Sequence, residues 1–211
     1  MKKKKLNVIT LGDSFVGKTS IIQRIKDDKF NETVQATIYL DHFCIERKYE
    51  KKNLIINLLF KDTAGHERFQ EVPLQYIRDS HIVLLVFCDI KTLNTIRDRW
   101  YHFYKEKANI ENSRFILIGN KSDIFGNNRE EIIRQGQDFA DEINAHFITC
   151  SAKSSDNMDN VDRYITTEAK RYIDDEEKYN KVQEDKSFSI KNMSKKEKKR
   201  MLLNYKILLL K

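Results

Sequence analysis

Eight consecutive residues, Gly12-Asp13-Ser14-Phe15-Val16-Gly17-Lys18-Thr19, constrain this chain more than any other stretch. They satisfy G-x-x-x-x-G-K-[ST] at every fixed position. The apolar run Leu6-Asn7-Val8-Ile9-Thr10-Leu11 precedes them and reads as a strand. Ser20-Ile21-Ile22-Gln23-Arg24-Ile25-Lys26 follows with apolar residues at helical spacing. A strand, a glycine turn and a helix start make a cradle for phosphate. Backbone N–H groups at the helix N-terminus face the anion, and the helix dipole favours it. Glycine lets the backbone come close where a Cβ would clash. The loop residues Asp13, Ser14, Phe15, Val16, Gly17, Lys18, Thr19 and Ser20 are therefore expected to surround nucleotide phosphates. Lys18 reaches the outer ones as a point charge, and the Thr19 hydroxyl takes Mg²⁺.

The rest of the chain supplies alternating strands and helices. Two strands at 42–50 and 54–61, joined by Lys51-Lys52-Asn53, should form an antiparallel hairpin. Further strands are expected at 82–88, 114–119 and 146–150, with helices at 92–109, 129–143 and 156–174. Segment 66–80 looks helical but holds Pro73, the single proline, against a regular helix there. Ile82-Val83-Leu84-Leu85-Val86-Phe87-Cys88 is apolar without a break, as in a strand buried on both faces. Strand–helix alternation implies parallel pairing. The expected fold is α/β, a P-loop NTPase with a six-stranded, mostly parallel sheet and helices on both faces. It occupies residues 6–175, and residues 176–211 form a tail expected to be flexible.

Charge is unevenly placed. Residues 191–211 hold eight Lys or Arg against one Glu, a net +7, and residues 2–5 add +4. With the whole chain at +7, residues 6–190 carry −4. A basic patch on the fold, which nucleic-acid binding would use, is not expected. Basic ends suit an anionic surface or plain solvation. Cys44, Cys88 and Cys150 lie inside strand-like runs without metal-ligand spacing, so they read as buried, reduced thiols of a cytoplasmic protein. No apolar run approaches the roughly 20 residues of a membrane span.

Three later motifs sharpen the ligand. Asp62-Thr63-Ala64-Gly65 follows an apolar strand; its acid can hold Mg²⁺, and the glycine N–H can meet a terminal phosphate. Asn120-Lys121-Ser122-Asp123 follows the strand ending in Gly119. The Asp123 carboxylate can accept from both N1–H and the 2-amino group of guanine, a donor pair that adenine lacks. Lys121 can lay its stem over the base, and Asn120 can tie this loop to the phosphate loop. Ser151-Ala152-Lys153 follows the last strand, where a backbone N–H could meet the guanine oxygen.

In motif order and spacing, residues 6–175 resemble the Ras superfamily of small GTPases, and within it the Rab family. The residues that carry the resemblance are GDSFVGKT, Thr37, DTAGHERF, NKSD and SAK. It implies a small G-protein domain that binds GTP or GDP with Mg²⁺ and hydrolyses GTP as a monomer. Phe30 then looks like the aromatic beside the guanine. Thr37, Thr19 and Asp62 look like the metal-binding set, with Thr37 engaged only in the GTP state. Gly65, His66 and Lys18 look like the catalytic group. The resemblance also implies effector, exchange-factor and GTPase-activating partners, and a task in vesicle traffic on endomembranes.

The chain departs from that pattern in places. His66 stands where the family has the glutamine that orients the attacking water, which predicts slow intrinsic hydrolysis. Tyr39 replaces a switch I glycine, and Phe15 replaces a common phosphate-loop glycine. His42 and Lys61 stand where the family presents Phe and Trp, leaving Tyr76 of the effector-reading aromatics. No cysteine follows Cys150, so prenylation there is not expected, nor does Met1-Lys2 suit myristoylation. The tail instead carries a basic cluster at 195–200 and an apolar segment at 201–210, suited to peripheral contact with an anionic membrane. The competing reading is a GTP-binding scaffold that hydrolyses little.

Overall fold

The computed structural model describes residues 1–32, 41–63, 74–108 and 113–192. They fall into two units, Met1–Lys170 and a second that begins at Arg171. In the first, six strands make one sheet in the order β2-β3-β1-β4-β5-β6. These are β1 (Lys2–Leu11), β2 (Asp41–Tyr49), β3 (Leu54–Asp62), β4 (Ile82–Phe87), β5 (Arg114–Gly119) and β6 (His146–Thr149). Only β2 and β3 pair antiparallel, as the hairpin pattern predicts; Asn53 closes the turn in the left-handed conformation. The other pairings are parallel. β1 starts at Lys2 rather than at residue 6, because it continues alongside β3 to Leu54. Its register with β4 begins only at Val8.

Every residue of β4 is buried, which is why its sequence shows no alternation. Side chains of one parity, Ile9, Leu11, Val83, Leu85, Phe87, Phe115 and Leu117, join one core cluster. That cluster includes Leu93, Ile96, Trp100 and Tyr104 from one side and Ile132 and Phe139 from another. The opposite parity, including Val8, Leu84, Val86, Ile116 and Ile118, is equally buried. Helix α1 (Lys18–Asp27) supplies Ile21 and Ile22, and α6 (Met158–Asn192) begins with the buried stripe Met158, Val161, Ile165 and Ala169. Arg47 of β2 and Asp162 of α6 add a forked ion pair, the closest contact being 2.7 Å.

Helices α3 (Ile90–Thr95) and α4 (His102–Lys107) run on continuously through a π turn, Ile96–Tyr101. Asp89 starts α3 with a reciprocal cap, accepting from Thr92 N–H at 2.7 Å. The short α2 (Leu74–Arg78) is the described part of the segment after Pro73. α5 (Arg129–Glu142) packs against β5 and β6. The last helix, expected to stop at residue 174, runs to Asn192, so the first part of the expected flexible tail is helical. The cysteines correct a second expectation. Cys150 is buried, and burial pushes its thiol up to about 12, but Cys88 is half-buried and Cys44 is exposed on edge strand β2.

Gly136 tests how tightly α5 sits on the sheet. A Cβ there would lie 2.5 Å from Phe147 Cζ, and that ring is stacked on Phe87 at 6.3 Å. Alanine gains about 1 kcal/mol of helix propensity over glycine, whereas overpacking a core costs about 1–3 kcal/mol. The Gly136→Ala protein is expected to melt about 3 °C lower. A higher melting temperature by calorimetry would show that Phe147 swings clear at little cost.

Candidate guanine-nucleotide site

The site is built at the C-terminal ends of β1, β3, β5 and β6. The phosphate loop leaves β1 at Leu11 and enters α1 at Lys18. Gly17 caps the helix with φ 95°, and Gly12 has φ 148°. A Cβ on Gly12 would collide with the Val86 carbonyl oxygen, and one on Gly17 with the Asn120 amide nitrogen. Both glycines are thus required by space as well as by backbone. Phe15 also adopts positive φ, 63°, and its ring is 73 % exposed.

Lys18 is buried, and its ammonium donates to the Gly12 and Asp13 carbonyls, both at 2.8 Å. Those bonds hold the cation inside the loop before any phosphate arrives. Burial lowers its pKa to about 8, against the opposing pull of Asp62 and Asp13. The Asp62 carboxylate, fully buried at the end of β3, accepts from Thr19 Oγ1 at 2.5 Å and from Thr10 Oγ1 at 3.2 Å. Thr63 donates to the Thr10 carbonyl at 2.6 Å, fixing the strand end. The Thr19 hydroxyl keeps its oxygen lone pairs while giving its proton to Asp62. A hydroxyl and a carboxylate so placed offer hard oxygen donors, which suits Mg²⁺ shared with phosphates and water.

The base side forms around Asn120. Its amide donates to the Val16 carbonyl at 2.8 Å, and its carbonyl accepts from Ala152 N–H at 3.1 Å. One buried side chain therefore joins all three ligand loops, including the expected tie to the phosphate loop. Lys121 takes φ 62°, turning the chain into the short helical turn Ser122–Ile124. Asp123 accepts from Ser151 Oγ at 2.6 Å. Ser151 and Ala152 are buried; Lys153 is exposed and pairs with Glu32 at 2.9 Å. Phe30 is half-buried, two residues beyond Asp28, which caps α1. Ser20 is buried on α1. Thr37, Gly65 and His66 lie outside the described residues, as do Tyr39, Ala64 and Glu67-Arg68-Phe69.

Two contributors escape motif reading. Trp100 donates its indole N–H to Asp13 Oδ1 at 2.8 Å, from inside the π turn. Arg24 reaches from α1 to the Ala152 carbonyl at 3.0 Å and the Lys153 carbonyl at 3.1 Å. A lone tryptophan or an arginine on an amphipathic helix announces neither contact. The divergent set at Lys61 also reads differently in three dimensions. Lys61 is buried, and its ammonium sits 4.4 Å above the Tyr76 ring centroid. His42 meets the same ring edge-on at 5.6 Å. The missing tryptophan is replaced by a stacked cation, whose pKa burial lowers.

Comparison with known proteins agrees with this geometry. The Ras family model matches residues 7–171. The Ras-related protein RABG1 of Arabidopsis thaliana is 34 % identical over 195 residues, covering 86 % of this chain and 93 % of that protein. The Ras-related protein SEC4 of Candida albicans is 35 % identical over 158 residues, covering 74 % and 73 %.

The Lys18 amine gives a pH signature. Its pKa falls from 10.5 to about 8, so below pH 8 it is charged folded and unfolded, and the burial penalty is fully present. Between pH 8 and 10.5 the unfolded chain holds the extra proton, so the ligand-free protein gains stability there. With Lys18 read as the phosphate-binding cation, affinity is expected to move the other way. Affinity for a fluorescent GDP analogue is expected to fall up to about tenfold per pH unit above pH 8, relative to Lys18→Met. Parallel profiles for the two proteins would reject the lowered pKa.

Proposed function

This chain belongs to the Ras family of small GTPases as a Rab-like member, and we propose that its described loops work as a Mg²⁺-dependent guanine-nucleotide switch. Its reaction is hydrolysis of GTP to GDP and phosphate. The observation that carries the reading is Asn120, which joins the phosphate loop to the base loops while Thr19 and Asp62 meet across the strand ends. Thr19 and Asp62 would hold Mg²⁺, and Thr37 would join them in the GTP state. The metal, when bound, neutralises charge on the β- and γ-phosphates.

The chain's own groups do the rest. Phosphate-loop N–H groups and the Lys18 ammonium bind the polyphosphate and stabilise charge that grows during transfer. Asp123 selects guanine, Lys121 and Phe30 flank the base, and the Ser151-Ala152-Lys153 loop meets its oxygen. Gly65 N–H meets the γ-phosphate. The His66 imidazole would accept a hydrogen bond from the attacking water. Loss of the γ-phosphate releases Thr37 and Gly65 together, which is the switch.

The biological task is regulation of vesicle traffic from the cytoplasmic side of endomembranes. Effector, exchange-factor and GTPase-activating proteins read the two states, and effectors meet a face where Tyr76 remains while His42 and the buried Lys61 stand in place of two aromatics. Among the described residues no helix is long and apolar enough to cross a membrane. Peripheral attachment uses the basic, apolar tail. Full-length protein should float with anionic vesicles, and a chain ending at Asp185 should not; equal flotation removes the anchor.

Single-turnover GTP hydrolysis by wild type and His66→Gln, both with Mg²⁺, tests the catalytic assignment. The variant is expected to run at least about tenfold faster, since an amide holds the water better than imidazole. Equal rates would mean that His66 is as competent as glutamine, and failure of both to hydrolyse would favour a GTP-binding scaffold.

A further inference from the structure

We propose that Arg24 is a positioning residue for the guanine pocket, clamping its two walls together from the phosphate-loop helix. This rests on reading the pocket as guanine-binding. The guanidinium donates from Nε to the Ala152 carbonyl at 3.0 Å and from one terminal nitrogen to the Lys153 carbonyl at 3.1 Å. Its other terminal nitrogen donates to the Asp28 carbonyl at 2.9 Å and to Asp28 Oδ1 at 3.2 Å. The first pair of contacts sets the loop that, on that reading, meets the base oxygen. The second sets the left-handed residue that ends α1, two positions before Phe30.

Arginine suits this task because its planar fork offers separated N–H donors in fixed directions, which a lysine does not. The side chain is 13 % exposed, so the bonds to backbone carbonyls form largely away from water. Another tie spans the same gap: Lys153 and Glu32 form an ion pair at 2.9 Å, but the side chains are 59 % and 72 % exposed. Such surface pairs contribute little. The Asp28 carboxylate is 86 % exposed and is similarly weak. The carbonyl contacts therefore carry the clamp. Asn120 fixes the Ala152 N–H from one side at 3.1 Å, and Arg24 fixes the carbonyl of the same residue from the other. The two peptide groups that flank the Ala152 Cα, in the loop read as meeting the base oxygen, are thus each held by one side chain.

A purely structural arginine and a positioning arginine differ in one readout, the dependence of binding on the base oxygen. Dissociation constants for GDP, 6-thio-GDP and IDP are measured with full-length wild type, Arg24→Ala and Arg24→Lys. The thio analogue changes the oxygen that the Ala152 loop reads; the inosine analogue removes the amino group that Asp123 reads. Arg24→Ala is expected to weaken GDP about tenfold, the equivalent of one or two hydrogen bonds. It should weaken 6-thio-GDP less, shrinking that ratio while leaving the GDP-to-IDP ratio intact. Arg24→Lys should recover part of the ratio. An equal loss for all three nucleotides, or no loss, would overturn the clamp. If Arg24→Ala fails to fold, Arg24→Lys decides: an unchanged GDP-to-6-thio-GDP ratio overturns it. A wild type that binds ADP as well as GDP overturns the guanine reading itself, a result distinct from failure of the clamp.

Discussion

The Asn120 side chain is the interaction on which the rest of the site depends. It is buried, it gives its amide to Val16 and it takes the N–H of Ala152. The loops after β1, β5 and β6 are far apart in sequence, and each alone would be free to move. Asn120 makes their relative position a property of the folded chain rather than of the ligand. A buried amide that lost these partners would cost about 1–3 kcal/mol per unsatisfied group. The constraint reaches backward into the sequence. Gly17 has no Cβ because the Asn120 amide occupies that space. The parallel register of β4 with β5 and of β5 with β6 then sets how far each loop projects.

Charge in the site is arranged around the same frame. Lys18 and Asp62 are both buried close to the phosphate loop, and each is satisfied by protein groups. Trp100 adds a neutral donor to Asp13, which turns that carboxylate toward α4 and the π turn. The Lys18 cation is therefore preformed in the loop, which leaves little reorganisation for binding an anion.

The parts legible in the sequence are those written in local chemistry. Residues 12–19 announce strand, loop and helix because glycine, lysine and threonine do work there that few other residues can. The unbroken apolar run at 82–87 announces a central strand because both faces are covered. The antiparallel hairpin and the tie from Asn120 to the phosphate loop emerged as expected. What stayed hidden depends on contacts distant in sequence. Nothing local distinguishes Arg24 from a solvated helix arginine paired with Asp28, since the Ala152 and Lys153 carbonyls lie 128 and 129 residues away in the chain. The π turn that aims Trp100 leaves no composition signal. The first lysines read as a basic end suited to an anionic surface or plain solvation, with the strand starting at residue 6, yet pairing with Leu54–Asn57 draws them into β1. The last helix outran its apolar stripe because charged residues such as Lys178 and Asp175 support helix without burial.

That early start of β1 also bears on how copies of the protein avoid one another. From Lys2 to Lys5 the strand has β3 on one side, while its register with β4 begins only at Val8. A sheet margin of this kind is a template on which a second chain could add a strand and begin an aggregate. Four consecutive lysines make that addition unfavourable, because an identical strand would bring ammonium against ammonium at a spacing of about 4.8 Å. Among the described residues, the polybasic start of the chain thus sets positive charge along a margin of its own sheet, with Lys3 paired to Glu46.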